Sequence, residues 1–295
     1  MSRRPTGTAL DQNRIDGLDF VVARLAYLAA GASRVGYRVF PPSSGRPVES
    51  PPKEYHEARI YDCRPISSRL SLDGAGFVVR RSGSVVTDFY DEERVRKSYF
   101  PEVESLVREA TGALAVIAFD HNVRSAKGAE EGQAGVRRPV DMAHNDYTEE
   151  SGPRRVREIL AEAGRMDLDG HRASLINAWR PIRGPVRDIP LTICEASSTS
   201  PEDFVETEIE HYAEEDLSRP RHRGRIFSVR YNPRHLWFYV RDMQANEVML
   251  LKCWDSARDG RARYTAHTGF VNPEAPPDAL PRESIEVRTV ALYAD

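Results

Sequence analysis

A chain of 295 residues, 40% hydrophobic and 29% charged, is globular in composition and long enough for one large β-barrel domain or two ordinary domains. Its formal net charge of -3, with arginines interleaved among Asp and Glu, offers no basic stripe for phosphates and argues against a nucleic-acid partner. Three cysteines in apolar surroundings (Cys63, Cys194, Cys253), with no Cys-x-x-Cys spacing, read as buried thiols of a reducing compartment. The basic start MSRRPTGTALDQ lacks the apolar run of a secretory signal, and no apolar stretch reaches bilayer-spanning length. The expectation is a cytoplasmic protein without a membrane partner.

In chain order, residues 1–17 are polar and predicted to be flexible, and 18–295 are predicted to form a single domain with an N-terminal strand and helix extension. VVARLAYLAA and GYRVF promise limited order before a Pro/Ser-rich connector at 41–53. ARIYDC, GFVVR and SVVTDFY then read as strands. Pro101 opens an amphipathic helix over 101–110, with Val103, Leu106, Val107 and Ala110 on one face and Gly112 as its stop. A second helix is predicted over 153–163, from Pro153 to a stop at Gly164. Strands are predicted at 113–120, 174–180, 190–196, 225–231, 235–242, 247–254 and 284–293. The acidic run ETEIEHYAEED at 206–216 reads as a solvated helix face, and the Gly-rich stretch 125–143 as a mobile loop. Many strands, few helices and no glycine-rich phosphate loop predict a mostly β fold with flanking helices around a jelly-roll core, not an alternating βαβ fold.

AHNDYT places His144 and Asp146 one residue apart, so on an extended strand both side chains leave the same face and can chelate one ion. Two histidines and one carboxylate on one side of iron(II) leave positions open for substrate and dioxygen. The third ligand must come from another strand. His267, in RYTAHTGF, is the candidate, because it precedes a strand-like segment carrying Arg282 and Ser284. Those two share a strand face, where a guanidinium fork and a hydroxyl can grip the distal carboxylate of 2-oxoglutarate while its ketoacid end chelates the iron. Each piece also has a plain structural reading. With 8 histidines and 45 acidic residues, a His-x-Asp arises by chance as a surface pair. His267 can be a core histidine, and Arg282 a charge at a strand edge. The order of the elements says more than any one of them.

That order resembles the 2-oxoglutarate-dependent dioxygenases, and more specifically the AsaB/CmcJ-like hydroxylase/desaturase family. The resemblance is carried by DHNVR (120–124), AHNDYT (143–148), NAWRPI (177–182), DIPLTICEA (188–196), LWFYVRDMQANEVMLLKCWDS (236–256), HTGF (267–270) and PRESIEVR (281–288), with RIYDCR and SYFPEVESLVREATGA upstream. It implies a double-stranded β-helix oxygenase with iron(II) on His144, Asp146 and His267. It further implies 2-oxoglutarate on Arg282, with Ser284, dioxygen as co-substrate, and hydroxylation or desaturation of a small organic secondary metabolite. Glu195 stands where the family pattern leads one to expect aspartate.

Other residues compete for roles at such a site. Arg288 lies on the same predicted strand face as Arg282 and is the rival guanidinium for 2-oxoglutarate. Lys252 and Arg180 are further cations, expected to point outward to solvent. Arg124, Tyr147, Asn177 and Trp179 are candidates for the substrate pocket. Two other functions fit less well. A non-catalytic jelly roll that binds a small ligand would not need the full triad, and methyl transfer would need a glycine-rich nucleoside-binding turn that the chain lacks.

Overall fold

The computed structural model describes residues 15–32, 35–133 and 135–294. Most of the N-terminal stretch predicted to be flexible, residues 1–14, lies outside the described residues. The strands in chain order are β1 (Phe20–Leu28), β2 (Gly36–Val39), β3 (Lys53–Asp62), β4 (Phe77–Arg81), β5 (Ala115–Ser125), β6 (Val136–Arg137), β7 (His144–Asn145) and β8 (Ala173–Pro181). They continue with β9 (Leu191–Cys194), β10 (Phe204–His211), β11 (His222–Val229), β12 (Trp237–Tyr239), β13 (Glu247–Asp255), β14 (His267–Gly269) and β15 (Glu283–Leu292).

These strands form a nine-stranded sheet, β1-β3-β12-β9-β14-β7-β11-β10-β2, and a six-stranded sheet, β4-β13-β8-β15-β5-β6. The sheets face each other. From the end of β7, Asn145 reaches the Cys253 carbonyl, and Asp146 reaches Asn177 and Arg288 of the second sheet. The architecture is thus the predicted one, mostly β and curled into a jelly roll. The central strands β8 and β13 are buried at every position, which explains why ASLINAWRP and EVMLLKCWD do not alternate cleanly. Each large apolar side chain buried there contributes about 1.5–3 kcal/mol, so truncating Leu250 to Ala would remove about 2–5 kcal/mol.

Both predicted helices are present, and both flank the second sheet. Phe100–Thr111 has Pro101 in its first turn, buries Phe100, Val103 and Val107, and packs on β5, β15 and β8. It ends at Gly112, whose φ of 67° is the left-handed conformation that stops a helix. Ser151–Glu162 ends in a Schellman pair, with Gly164 N–H donating to Ala161 and Arg165 N–H to Leu160. Among the described residues no helix is long and apolar enough to cross a membrane.

Four local expectations need correction. VVARLAYLAA is no weakly ordered run but most of β1, paired with β3 along nine residues. SVVTDFY is not a strand. The side chains of Ser84 and Asp88 accept from the N–H groups of Val86 and Tyr90, and such local bonds compete with sheet pairing. The acidic run is no helix either, since its first part belongs to β10, which pairs with β11 throughout. Val205, Thr207 and Ile209 alternate there with glutamates, and Glu210 meets Arg38 and Arg223 at 3.2 Å each, so charge obscured a two-residue period. The segment 125–143 is partly ordered, with a helix Ala126–Glu130 capped by the Ser125 hydroxyl at 3.1 Å and the short strand β6 lying parallel to β5.

Candidate active site

His144 and His267 sit directly opposite each other on the neighbouring antiparallel strands β7 and β14, with ring centroids 4.4 Å apart. Asp146 follows just beyond β7. One ligand atom from each of the three residues lies within 4.8 Å of the other two. Both imidazoles are oriented in the same way: Nδ1 of His144 lies 2.9 Å from the Met142 carbonyl, and Nδ1 of His267 lies 3.0 Å from the Thr265 carbonyl. A carbonyl only accepts, so each Nδ1 carries the proton and each Nε2 presents a lone pair. That is the tautomer a metal ligand requires, held by the second-nitrogen bond such ligands use.

The Asp146 carboxylate has two distinct sides. Its Oδ1 lies 3.5 Å from His144 Nε2, while Oδ2 accepts from Asn177 Nδ2 at 2.8 Å and from Arg288 Nε at 3.2 Å. Asn177 and Arg288 therefore fix the plane of the carboxylate and leave Oδ1 turned to the histidines. Burial alone would raise the Asp146 carboxyl, but the Arg288 guanidinium beside it holds it well below the usual carboxylate range. The size of these effects explains the outcome: burying a lone ion costs several kcal/mol, and an opposite charge at about 4 Å returns about 4 kcal/mol even at an effective dielectric of about 20. His267 is also lowered, to about 4, but here burial is the foremost cause, followed by its neighbour His144. The ring is neutral at neutral pH. Two imidazoles held by their Nδ1 atoms and one ionised carboxylate fit a small divalent cation that prefers mixed N/O ligands.

The triad opens onto a narrow cavity also lined by Arg124, Val140, Trp179, Leu191, Arg282 and Glu286. Arg282 is 4% exposed and lies 5.2 Å from the centre of the Trp179 ring. Its Nε donates to Ser284 Oγ at 3.1 Å and its Nη1 to the Ile189 carbonyl at 3.0 Å. Burial, then the charge of Arg124, lowers its guanidinium to about 9. Gly269 makes the approach possible, because a Cβ there would lie 3.3 Å from Arg282 Nη1 and 3.2 Å from the Val140 carbonyl. Val140 in turn accepts from Gly269 N–H at 3.0 Å, tying the end of the 125–143 segment to β14 beside the triad.

The structure separates the two rival arginines. Arg288 is occupied by carboxylates: Asp120 at 2.9 Å, Asp146 at 3.2 Å and Glu286 at 3.6 Å. Arg282 forms no ion pair with any described carboxylate and faces the cavity. Of the four pocket candidates, Arg124 and Trp179 line the cavity, Asn177 steers Asp146, and Tyr147 packs in the core. Lys252 and Arg180 do not point to solvent as expected. Lys252 is fully buried between Asp73 at 2.6 Å and Asp255 at 2.8 Å, and Arg180 lies between the Phe89 and Tyr99 rings and donates to the Ala245 carbonyl. Glu195 is buried and accepts from the Ser197 hydroxyl at 2.6 Å. The three cysteines are free and buried. Sequence reasoning missed Glu286 and Asp120. The signal for Glu286 was present, since PRESIEVR puts residues 282, 284, 286 and 288 on one strand face.

Comparison with known proteins bears on this site. The family model described as "Oxidoreductase/YMDC permease-like domain" matches residues 25–292. The alpha-ketoglutarate-dependent dioxygenase phiK, from a fungal species, is 32% identical over 80% of this chain and 83% of its own. The hydroxylase/desaturase asaB of Aspergillus flavus is 36% identical over 42% of this chain and 57% of its own. Among solved structures, the iron and alpha-ketoglutarate-dependent endoperoxidase NvfI superposes with a TM-score of 0.78 over 94% of this chain and 99% of its own, at 24% identity. The last comparison speaks for the shared fold alone.

Proposed function

The chain belongs to the oxidoreductase/YMDC permease-like family and to the AsaB-type hydroxylase/desaturase family of iron(II)- and 2-oxoglutarate-dependent dioxygenases, and on that premise we propose that His144, Asp146 and His267 hold its iron and Arg282 with Ser284 its 2-oxoglutarate. The observation that carries this reading is the paired orientation of the imidazoles, both Nδ1 atoms tied to carbonyls, with His144 Nε2 3.5 Å from Asp146 Oδ1 and one ligand atom of each of the three residues within 4.8 Å of the other two. When bound there, iron(II) with 2-oxoglutarate and dioxygen supplies the power to remove hydrogen from an unactivated C–H bond, with 2-oxoglutarate leaving as succinate and carbon dioxide.

The chain's own residues supply position and seclusion. Asn177 and Arg288 keep Asp146 ionised and correctly turned. Arg282, stacked against Trp179 and braced by Ser284 and the Ile189 carbonyl, presents a guanidinium fixed before the ligand arrives, which reduces the ordering cost of binding. Leu191, Val140 and Trp179 line the cavity with apolar surface and limit water near the oxidant. The substrate is a small organic molecule of the secondary-metabolite class, a reading supported by relatives such as phiK and asaB. Residues 18–295 act as one oxygenase domain, a reading supported by cross-sheet bonds that make both sheets part of one site.

Anaerobic titration with iron(II) and then 2-oxoglutarate tests the assignment through the visible charge-transfer band of the chelate. The band is expected in the wild type and absent in His144→Ala. A His144→Ala protein that kept the band at full iron affinity would remove His144 from the metal site.

A further inference from the structure

We propose that Arg124 is a second guanidinium for the distal carboxylate of 2-oxoglutarate, acting beside Arg282, and that Glu286 offsets one of these two positive charges so that one carboxylate completes the balance. This rests on the reading of Arg282 and Ser284 given above.

The register of the second sheet lays out the positions. Three cross-strand rows run over β5, β15 and β8: Asp120–Arg288–Asn177, Asn122–Glu286–Trp179 and Arg124–Ser284–Pro181. Successive rows are about 6.6 Å apart, two residues of strand rise. The first row holds the triad's carboxylate, since Arg288 and Asn177 both donate to Asp146. The third row stands two steps along the same face. There Arg124 lies directly across from the Ser284 that braces Arg282, and both arginines line the triad's cavity.

Charge separates these two arginines from Arg288 on the same face of the sheet. Buried or half-buried guanidiniums are normally paired with carboxylates, and Arg288 is. Neither Arg124 nor Arg282 forms an ion pair with a described carboxylate. Their bonds go to neutral oxygens: Arg124 Nη1 to the Arg138 carbonyl at 2.9 Å, Arg282 to Ile189 and Ser284. Two like charges therefore share one small cavity, and of the two acids that line it with them Asp146 is taken up by Arg288, which leaves Glu286, buried and 3.6 Å from Arg288, as the acid nearest to balancing them. One positive charge is left unmatched. A dicarboxylic ketoacid brings one carboxylate to that end once its other end is on the metal, and two planar forks match such a carboxylate from two sides. Arg282 alone would be a sufficient anchor if Arg124 were paired elsewhere, which it is not.

Calorimetry under anaerobic conditions on the iron(II)-loaded full chain tests this, with 2-oxoglutarate and, separately, 2-oxobutyrate, which keeps the ketoacid end and lacks the distal carboxylate. Arg124→Gln is expected to weaken 2-oxoglutarate by about ten- to a hundredfold and to leave 2-oxobutyrate and iron affinity unchanged. Glu286→Gln is expected to tighten 2-oxoglutarate, because it removes a like charge from the cavity. The proposal is overturned if Arg124→Gln weakens both ketoacids equally or weakens neither. Should Arg124→Gln fail to fold, Glu286→Gln decides: tighter 2-oxoglutarate binding supports the charge balance, and unchanged or weaker binding overturns it. Arg282→Gln serves as the reference, since unchanged 2-oxoglutarate affinity in that variant would overturn the underlying site assignment instead.

Discussion

Replacing Arg288 and Arg282 in turn by Gln, in the iron-free protein, probes the electrostatics that set up the site. Arg288 meets three carboxylates, at 2.9, 3.2 and 3.6 Å, and its side chain is 20% exposed. Removing it strands Asp146, deep in the interior, without its cation, and takes from buried Glu286 one of the guanidiniums around it. Breaking a buried pair from one side costs about 3–5 kcal/mol. The exposure of Asp120, at 42%, allows water to satisfy that partner and favours the lower end, about 3 kcal/mol. Arg282 has no carboxylate partner to strand, so Arg282→Gln should cost less than about 1 kcal/mol or stabilise the apo protein slightly. Urea unfolding at neutral pH reads both variants from midpoint and slope. The sign of the pH dependence follows from Asp146: its folded pKa lies below the unfolded carboxylate value, so the stability it contributes is present above about pH 4 and is lost as pH falls through the lower folded value. The Arg288→Gln deficit should therefore shrink on acidification. Equal losses in the two variants, or a deficit independent of pH, would refute this account of the pairing.

Three further outcomes follow from the geometry. Asn177→Leu removes a 2.8 Å donor to Asp146 without touching the ligands, and iron affinity by anaerobic titration should fall about ten- to a hundredfold, while unchanged affinity would mean that Arg288 alone orients the carboxylate. Gly269→Ala inserts a methyl at 3.3 Å from Arg282 Nη1, so the Kd for 2-oxoglutarate should rise with iron affinity kept, and loss of both would point to disruption of β14. His267 has a folded pKa of about 4 against an ordinary value near 6.5, so the unfolded chain binds the extra proton first; apo stability should fall as pH drops from about 6.5 to about 4, and His267→Gln should flatten that slope in unfolding curves.

The parts of this protein legible in the sequence were those with short-range causes. Helix limits followed from Pro101, Gly112 and Gly164, and most strands from β-branched and aromatic runs. The two-residue spacing placed His144 with Asp146 and Arg282 with Ser284, although Asp146 lies one residue past β7 and Arg282 one before β15, because extended backbone carries the alternation slightly beyond the paired strand. Local reasoning failed where the deciding partner lies outside the segment being read, on the next strand or far away in the chain. The glutamates of β10 looked like a solvated helix until β11 supplied a ladder of backbone bonds, and Lys252 looked like a surface cation until Asp73 and Asp255 enclosed it.

What the sequence determined by itself was an inventory and its alternation: a His-x-Asp pair, a distant histidine, and a strand face bearing two arginines, each with several possible fates. Tertiary structure decided among those fates. Only the antiparallel register of β7 and β14 sets His267 against His144, and only the facing of the two sheets gives Asp146 to Arg288 and leaves Arg282 without a carboxylate partner. The physical reason is that a charge's role depends on which opposite charges lie within a few ångströms, and in a sheet protein those neighbours come from strands more than a hundred residues away.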